Sequence, residues 1–127
     1  MKAKGVIAQQ ITYQPKDALD LLEKVFKQNG ITIYARIDQQ EEARRNGVKI
    51  NPLQFLLFGS PAKGGVVMQE NPLAALDLPL KVIAFQDEKQ HNYIAFNDVN
   101  YLAGRYSLSS SSAKQIDIGA AILKILK

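Results

Sequence analysis

The sequence predicts an α+β domain in which a single mixed, mainly antiparallel sheet of about five strands has helices mainly on one face. Short segments rich in β-branched and aromatic residues recur along the chain, and stretches with apolar residues at helical spacing separate the first four of them. The last two strand segments are joined by a polar turn, which favours an antiparallel hairpin. The predicted order of elements is therefore β-α-β-α-β-α-β-β-α-α.

The composition indicates one globular domain over residues 1–127. Apolar residues make up 46% of the chain and charged residues 22%, an ordinary balance for a soluble protein, and a chain of this length can bury a core without disulfides. There is no cysteine and a single histidine, His91, which excludes thiolate metal sites, iron–sulfur clusters and cysteine nucleophiles. We therefore expect no metal and no cofactor, and the sequence names no catalytic residue.

The charge pattern and hydropathy predict a cytoplasmic protein that binds neither membranes nor nucleic acids. No segment is apolar enough for a signal peptide, and none approaches the roughly 18 apolar residues that span a bilayer. The net charge of +4 is spread over scattered lysines and arginines, whereas nucleic-acid binding favours a basic stripe with exposed aromatics. The residues nearest to such a stripe are Arg36, Arg44, Arg45 and Lys49, with Tyr34.

The first half of the chain predicts two strands, each followed by a helix. Residues 5–13 form the first strand, and Pro15 opens a helix that ends at Asn29 and Gly30. The apolar face of this helix comprises Ala18, Leu19, Leu22, Val25 and Phe26. Alternation in the second strand places Ile31, Ile33, Ala35 and Ile37 on one face and Thr32, Tyr34 and Arg36 on the other. Asp38, with Glu41 three residues later, is typical of an N-cap and starts a short polar helix.

The second half predicts three more strands and the remaining helices. Residues 53–58 are nearly all apolar, so we expect this strand to be central and covered on both faces. Residues 80–86 and 91–97 form a hairpin, after which Asn97 and Asp98 cap a short helix. After a serine linker, Ser112 begins a last helix whose apolar residues spread over more than one stripe. It needs covering by its own core or by a second subunit, and we expect a homodimer.

The turn before the third helix resembles a phosphate loop only in its glycine spacing. Gly59 and Gly64 fit, but a Gly-Val pair follows where a Walker-type loop requires lysine and a hydroxyl residue. What remains is Ser60 as N-cap and Pro61 at N1, with Lys63 beside the first-turn N–H groups. Two interpretations stay open: a structural strand-to-helix turn, which we favour, and an anion site. The Gly-Gly pair inside the helix predicts a break or a close approach by another backbone or a ligand.

Several motifs, taken in order, resemble the domain of unknown function 302 family. They are Ala-Arg-Ile-Asp at residues 35–38, Leu-Leu-Phe-Gly-Ser-Pro at 56–61, Met68, Ala-Ala-Leu-Asp-Leu-Pro-Leu-Lys at 74–81, Phe-Asn-Asp at 96–98 and Tyr-Leu-Ala at 101–103. The resemblance extends over residues 12–108 and implies a compact α+β fold of the TATA-binding-protein-like kind, a homodimer and no settled activity. Members often have histidine after the Ile-Asp pair. That place is Gln39 here, so we expect no mechanism that needs an imidazole there.

The leading hypothesis is a cytoplasmic, homodimeric module that binds a small molecule or anion near residues 60–63. The alternative is an enzyme that acts on a small polar substrate with Arg36, Asp38 and Asn97 or Asp98. The candidate ligand-binding residues are Arg36, Asp38, Gly59, Ser60, Lys63, Asn97, Asp98, Tyr101 and Arg105. The last four fall on consecutive turns, where they line either a polar pocket or a solvated face. The enzyme requires Asp38, Ser60 and Asp98 in one cavity, whereas a binding module leaves them as separate helix caps.

Overall fold

The structure, a computed structural model, describes residues 2–127 and confirms the α+β class with a five-stranded sheet. The strands are β1 (Val6–Ile11), β2 (Thr32–Asp38), β3 (Leu53–Gly59), β4 (Leu80–Gln86) and β5 (Asn92–Asn97). The helices are α1 (Pro15–Gln28), α2 (Gln39–Arg45), α3 (Pro61–Glu70), α4 (Val99–Tyr106), α5 (Ser110–Gln115) and α6 (Gly119–Ile125), and a 3₁₀ helix spans Pro72–Asp77. The strand order is β1-β5-β4-β3-β2, and every pairing is antiparallel.

One face of the sheet packs against α1 and α6 and forms the main core. The predicted apolar face of α1 is confirmed, and its buried residues include Ala18, Leu19, Leu22 and Phe26. The ring centroids of Phe26 and Phe58 lie 4.6 Å apart between α1 and β3. Ile122 of α6 is fully buried in the same core. The last helix therefore covers its own core, so its apolar residues give no reason for a second subunit.

A second, smaller cluster joins α3, the 3₁₀ helix, α4 and the end of α5. Its buried members are Val67, Ala74, Leu102, Tyr106 and Ile116. The Tyr106 hydroxyl donates a hydrogen bond to the Asp77 carboxylate. Glu70, at the end of α3, accepts hydrogen bonds from the N–H and hydroxyl of Ser109 and from the hydroxyl of Ser112. These bonds attach the first turn of α5 to α3, and they lower the pKa of Glu70, the Ser112 bond having the largest effect.

A β-bulge at Tyr34 divides β2 into two halves. Beyond it, the side chains alternate between the two faces of the sheet in the opposite order from the one that the first half sets. The register with β3 shifts between Ile33 and Ala35, so Tyr34 is an extra residue in one strand. As a result Arg36 faces α1, on the side opposite to the one that simple alternation gives it. The prediction that Ile31, Ile33, Ala35 and Ile37 share one face is therefore wrong beyond the bulge.

The opposite face of the sheet is turned away from α1 and α6, and we call it the open face. From the strand register and the alternation with core residues, its members include Val6, Ala8 and Gln10 in β1, Ala35 and Ile37 in β2, Leu53, Phe55 and Leu57 in β3, Lys81, Ile83 and Phe85 in β4, and Tyr93 and Ala95 in β5. Helix α2 contacts β3, but its single apolar residue is Ala43 and it has no buried residue. On this face Phe55 is nevertheless only 7% exposed, with Lys81 over its ring, whereas Leu53 and Leu57 are partly exposed. The expectation that β3 is covered on both faces is therefore confirmed at Phe55 but not along the whole strand.

The predicted last helix is divided in two. Helix α5 is capped by Ser109, whose hydroxyl oxygen accepts the N–H of Ser112, so it starts earlier than the sequence suggests. The chain leaves helical geometry at residues 116–118 and resumes it at Gly119. The ring of Phe96 lies against this glycine so closely that a Cβ there would come 2.8 Å from the Phe96 ring. The absence of a side chain thus lets α6 approach the sheet.

Candidate functional site

A small cavity lies where β3 passes into α3, and we call it the α3 cavity. Its volume is about 220 Å³. Most of its walls are apolar and come from Ile31, Phe58, Met68, Leu78, Pro79, Leu80, Ile116 and Ile118. Its polar lining residues are Tyr34, Ser60, Lys63, Lys114, Gln115 and Asp117. Of the candidates predicted from sequence, this cavity brings together Gly59, Ser60 and Lys63.

The N-terminus of α3 forms as the sequence predicts. Ser60 is the N-cap, its side-chain oxygen accepts the Lys63 N–H at 3.3 Å, and Pro61 occupies the first helical position. The Gly64 N–H is bonded to the Ser60 carbonyl at 2.8 Å. Because proline has no N–H, these bonds leave at most the N–H of Ala62 for an anion in this turn. The structural interpretation of the turn is thus supported, and a cradle made of backbone N–H groups is not.

The charge at the α3 cavity is supplied by side chains. Lys63 and Lys114 are both exposed and belong to different helices, α3 and α5, and neither forms an ion pair within residues 2–127. Asp117 is the single acidic residue of the lining. The cavity therefore combines apolar walls with a small excess of positive charge in contact with solvent.

The Gly-Gly pair neither breaks α3 nor allows another part of the described backbone to come close to the helix. The helix continues through both residues. A Cβ on Gly64 would lie 3.9 Å from the terminal methyl of Met68, and a Cβ on Gly65 would meet nothing within 4 Å. The predicted break is therefore wrong, and no protein backbone approaches closely. Gly64 lines the α3 cavity and Gly65 does not, so of the two glycines only Gly64 lies where a ligand in this cavity would approach.

A second cavity lies beside the first, and we call it the Asp98 cavity. It measures about 360 Å³ and is lined by Asn97 and Asp98. The two cavities share Phe58, Leu80 and residues 116–118 as walls. Asp98 itself caps α4 by accepting the Asn100 N–H at 2.9 Å. The predicted pair of residues thus reaches a cavity, although a different one from that of Ser60.

Tyr101 and Arg105 do not join Asn97 and Asp98. The ring of Tyr101 covers Gly5, where a Cβ would come 2.2 Å from the ring. Arg105 forms an ion pair with Asp77 at 3.1 Å. A polar pocket made by all four residues of this segment is therefore wrong, because tertiary contacts occupy two of them.

Arg36 and Asp38 lie toward the opposite end of the sheet from Ser60. The register shows this directly, since Gly59 pairs with Thr32 at the start of β2 and Asp38 ends that strand. Asp38 accepts the Glu41 N–H at 3.0 Å, which confirms the predicted helix cap.

Arg36 attaches β2 to α1. It bonds to the Asp20 carboxylate at 2.5 Å, to the Lys16 carbonyl at 3.0 Å and to the Gln54 side chain at 3.2 Å. Both Arg36 and Asp38 therefore have structural partners and line neither the α3 nor the Asp98 cavity.

The three residues that the enzyme hypothesis requires in one cavity lie apart. Asp38, Ser60 and Asp98 cap three different helices, and neither the α3 cavity nor the Asp98 cavity contains all three.

His91 lies exposed in the turn between β4 and β5, 3.6 Å from Asp87. Within residues 2–127, no three His, Cys, Asp or Glu side chains gather as a metal site would require. In the same part of the chain, no helix has both the length and the apolar character to cross a membrane.

Sequence reasoning did not single out Tyr34, Met68 or Lys114 as ligand-binding residues. Tyr34 reaches the cavity because of the bulge, and Met68 is 36% exposed. Lys114 comes from α5, far along the chain from Lys63. No local pattern could have identified these residues, since only the tertiary fold brings them to one place.

Comparisons with known proteins agree on the fold and identify the family. The model of the family described as "Domain of unknown function DUF302" matches residues 7–126. The crystal structure of an uncharacterized conserved protein DUF302 from Bacillus stearothermophilus has a TM-score of 0.80 to this chain at 20% identity, and the alignment covers 98% of this chain and 97% of that one. At this identity the likeness shows the fold alone.

Curated relatives are named for a channel. "Fluoride-specific ion channel FluC 1" of Brucella suis biovar 1 (strain 1330) is 28% identical over 108 residues, which are 85% of this chain and 42% of the relative. The FluC 1 protein of Brucella abortus biovar 1 (strain 9-941) is also 28% identical over 108 residues, and the alignment covers 85% of this chain and 40% of that relative. The chain thus spans about two fifths of the length of these relatives. Because the family model matches almost the whole chain, the protein belongs to the DUF302 family of domains of unknown function.

Proposed function

We propose that the protein binds a small amphipathic acid in the α3 cavity. The observation that supports this most is the combination of apolar walls with Lys63 and Lys114 at one small cavity. Pockets for drug-sized ligands begin at about 300 Å³, so a volume of about 220 Å³ suits a ligand of few atoms. An apolar chain would fill the space beside Phe58 and Ile116, while its acidic group would stay near the lysines.

The energetics assign different roles to the two parts of such a ligand. Burial of apolar surface contributes about 25 cal/mol per Å², so the chain of the ligand supplies most of the affinity. An exposed ion pair contributes roughly 0–1 kcal/mol, so the lysines mainly distinguish an acid from a neutral compound of the same shape. The cavity lining presents no nucleophile beside a general base, so the geometry supports binding without chemistry.

A thermal-shift series tests this proposal. Short straight-chain carboxylic acids and their primary amides are added at equal concentrations, because a ligand that prefers the native state raises the melting temperature. We expect the acids to protect more than the amides. Lys63→Ala and Lys114→Ala should each weaken the binding of the acid about five-fold or less while leaving protection by the amide unchanged.

Lys89→Ala is the matched control, since Lys89 is exposed in the turn at the other end of the sheet. It should behave as the wild type does. Equal protection by acid and amide, or an equal loss in all three variants, would contradict the proposal.

Inorganic anions belong in the same series, because the curated relatives carry a fluoride-specific name. An anion without an apolar part would depend on two exposed lysines and at most one backbone N–H of the α3 turn. We therefore expect fluoride, phosphate and sulfate to protect less than the acids. Protection by fluoride that exceeds the acids and disappears in Lys63→Ala would favour an anion site instead.

We also propose that the protein acts as a homodimer. Since α6 covers its own core, the last helix does not support this assembly. The support comes from the open face of the sheet, where ten of the thirteen residues defined above are alanine, valine, leucine, isoleucine or phenylalanine. Sedimentation velocity at micromolar concentration should show a dimer, and a clean monomer would contradict this proposal.

A further inference from the structure

We infer, on the basis of the proposed function, that the acid in the α3 cavity carries an amino group at its far end and that the Asp98 cavity binds this group. The ligand is then a short molecule with an apolar middle and opposite charges at its two ends. Straight-chain ω-amino acids are the simplest members of this class. The Asp98 cavity thereby becomes the second half of one elongated binding site.

The fold places the two cavities at the same edge of the sheet. Strands β3 and β5 run in the same direction on either side of β4, so their carboxyl ends lie at one edge. Ser60 follows β3 and lines the α3 cavity, whereas Asp98 follows β5 and lines its own cavity. Two strand spacings, about 10 Å, separate the two strand ends. A short extended molecule can therefore reach both cavities.

Apolar side chains connect the two cavities. Phe58, Leu80, Ile116 and Ile118 line both of them. Leu80 and Ile118 are only partly buried, so apolar surface is open to a ligand where the cavities meet. Because removal of apolar surface from water is favourable, a methylene chain that begins in the α3 cavity would continue along these side chains into the Asp98 cavity.

The charges at the two ends of this path have opposite signs. The α3 cavity has its two lysines, and the charged lining residues of the Asp98 cavity are Lys81, Asp98 and Asp117. The Lys81 ammonium group, however, lies 4.5 Å from the ring centroid of Phe55, a residue of the open face. The Asp98 cavity therefore presents mainly negative charge, and Asp117 lines both cavities.

The Asp98 carboxylate retains an acceptor for an amino group. One of its oxygens accepts the Asn100 N–H at 2.9 Å. Within residues 2–127 the other oxygen has no hydrogen-bond partner, and neither Asp98 nor Asp117 forms an ion pair. An ammonium group only donates hydrogen bonds, so a carboxylate of this kind is the partner that it requires.

Titration calorimetry with straight-chain ω-amino acids of increasing length tests the inference, each compared with the carboxylic acid of the same chain length. Amino acids long enough to reach Asp98 should bind the wild type up to about five-fold more tightly than the matched acids. Shorter amino acids should bind no more tightly than their acids. Asp98→Asn should remove the difference at every length and leave the binding of the carboxylic acids unchanged. Asparagine caps helices as well as aspartate does, so the fold should be retained.

Asp38→Asn is the matched control, because it makes the same change at the N-cap of α2 and Asp38 lines neither cavity. This variant should keep the wild-type difference between amino acids and acids. Amino acids that bind no more tightly than the acids at any length, or a difference that survives in Asp98→Asn, would overturn the inference while the proposed function stands. If neither the acids nor the amino acids bind, both are rejected.

Discussion

Arg36 shows how one side chain can change its role through a neighbour. The bulge at Tyr34 turns Arg36 toward α1, where it holds Asp20 and the Lys16 carbonyl. The pKa of Asp20 is lowered, first by its hydrogen bond to Lys16 and then by the bond from Arg36. A group whose pKa is lower in the folded state stabilises the protein above its unfolded pKa of about 3.9. This stabilisation is lost as the pH falls through the folded pKa.

Asp20→Asn should therefore lower stability at neutral pH, and this effect should shrink as the pH falls below the unfolded pKa of about 3.9. Because the Asp20 side chain is 44% exposed, we expect a loss of about 1 kcal/mol or less. Urea unfolding of both proteins between neutral pH and pH about 3 should show the difference closing below pH about 3.9. Glu88→Gln, in the exposed turn after β4, should give no such pH-dependent difference. A gap that is as large at the acid end as at neutral pH would show that Asp20 acts through packing.

At the scale of elements, the sequence predicted what is encoded within a few residues. The caps at Asp38, Ser60 and Asp98 are confirmed, because an N-cap bonds to N–H groups only two or three positions away. The bulge in β2 was missed because it depends on the register with β3. The division between α5 and α6 was missed because apolar residues continue through the break, and what ends α5 is packing against two separate clusters.

Two glycine substitutions in α3 should distinguish an effect on the stability of the fold from an effect on ligand binding. Gly65→Ala should stabilise the protein by about 1 kcal/mol, because alanine is the better helix former and its Cβ meets open space. Gly64→Ala should stabilise the fold to a similar extent, since its Cβ would make only an ordinary contact with Met68. Urea unfolding measures both effects. If a ligand approaches Gly64, this variant alone should lose the thermal protection given by the acids, and an equal loss in Gly65→Ala would contradict that assignment.

For the whole molecule, the α+β class and the order of strands and helices were predictable because hydrophobic periodicity and turn residues lie in the local sequence. Which candidate residues share a cavity was less predictable from the sequence. Of the nine candidates, only Gly59, Ser60 and Lys63 reach the α3 cavity, while Asn97 and Asp98 reach its neighbour. Asp38 caps α2 through a local bond. Arg36, Tyr101 and Arg105 have structural contacts with distant residues, as Arg105 with Asp77 shows.

The bulge in β2 also affects how molecules can add to one another. Strand β2 is at the edge of the sheet, and an edge strand offers a row of free N–H and C=O groups on which a neighbouring chain can extend the sheet. The extra residue interrupts this row, so growth through the edge is hindered while contact through the face stays possible. Deletion of Tyr34 would restore a regular edge and keep Ile33 and Ala35 on their present sides. We expect light scattering to show large aggregates of the deletion variant, and none for Tyr34→Ala, which retains the bulge.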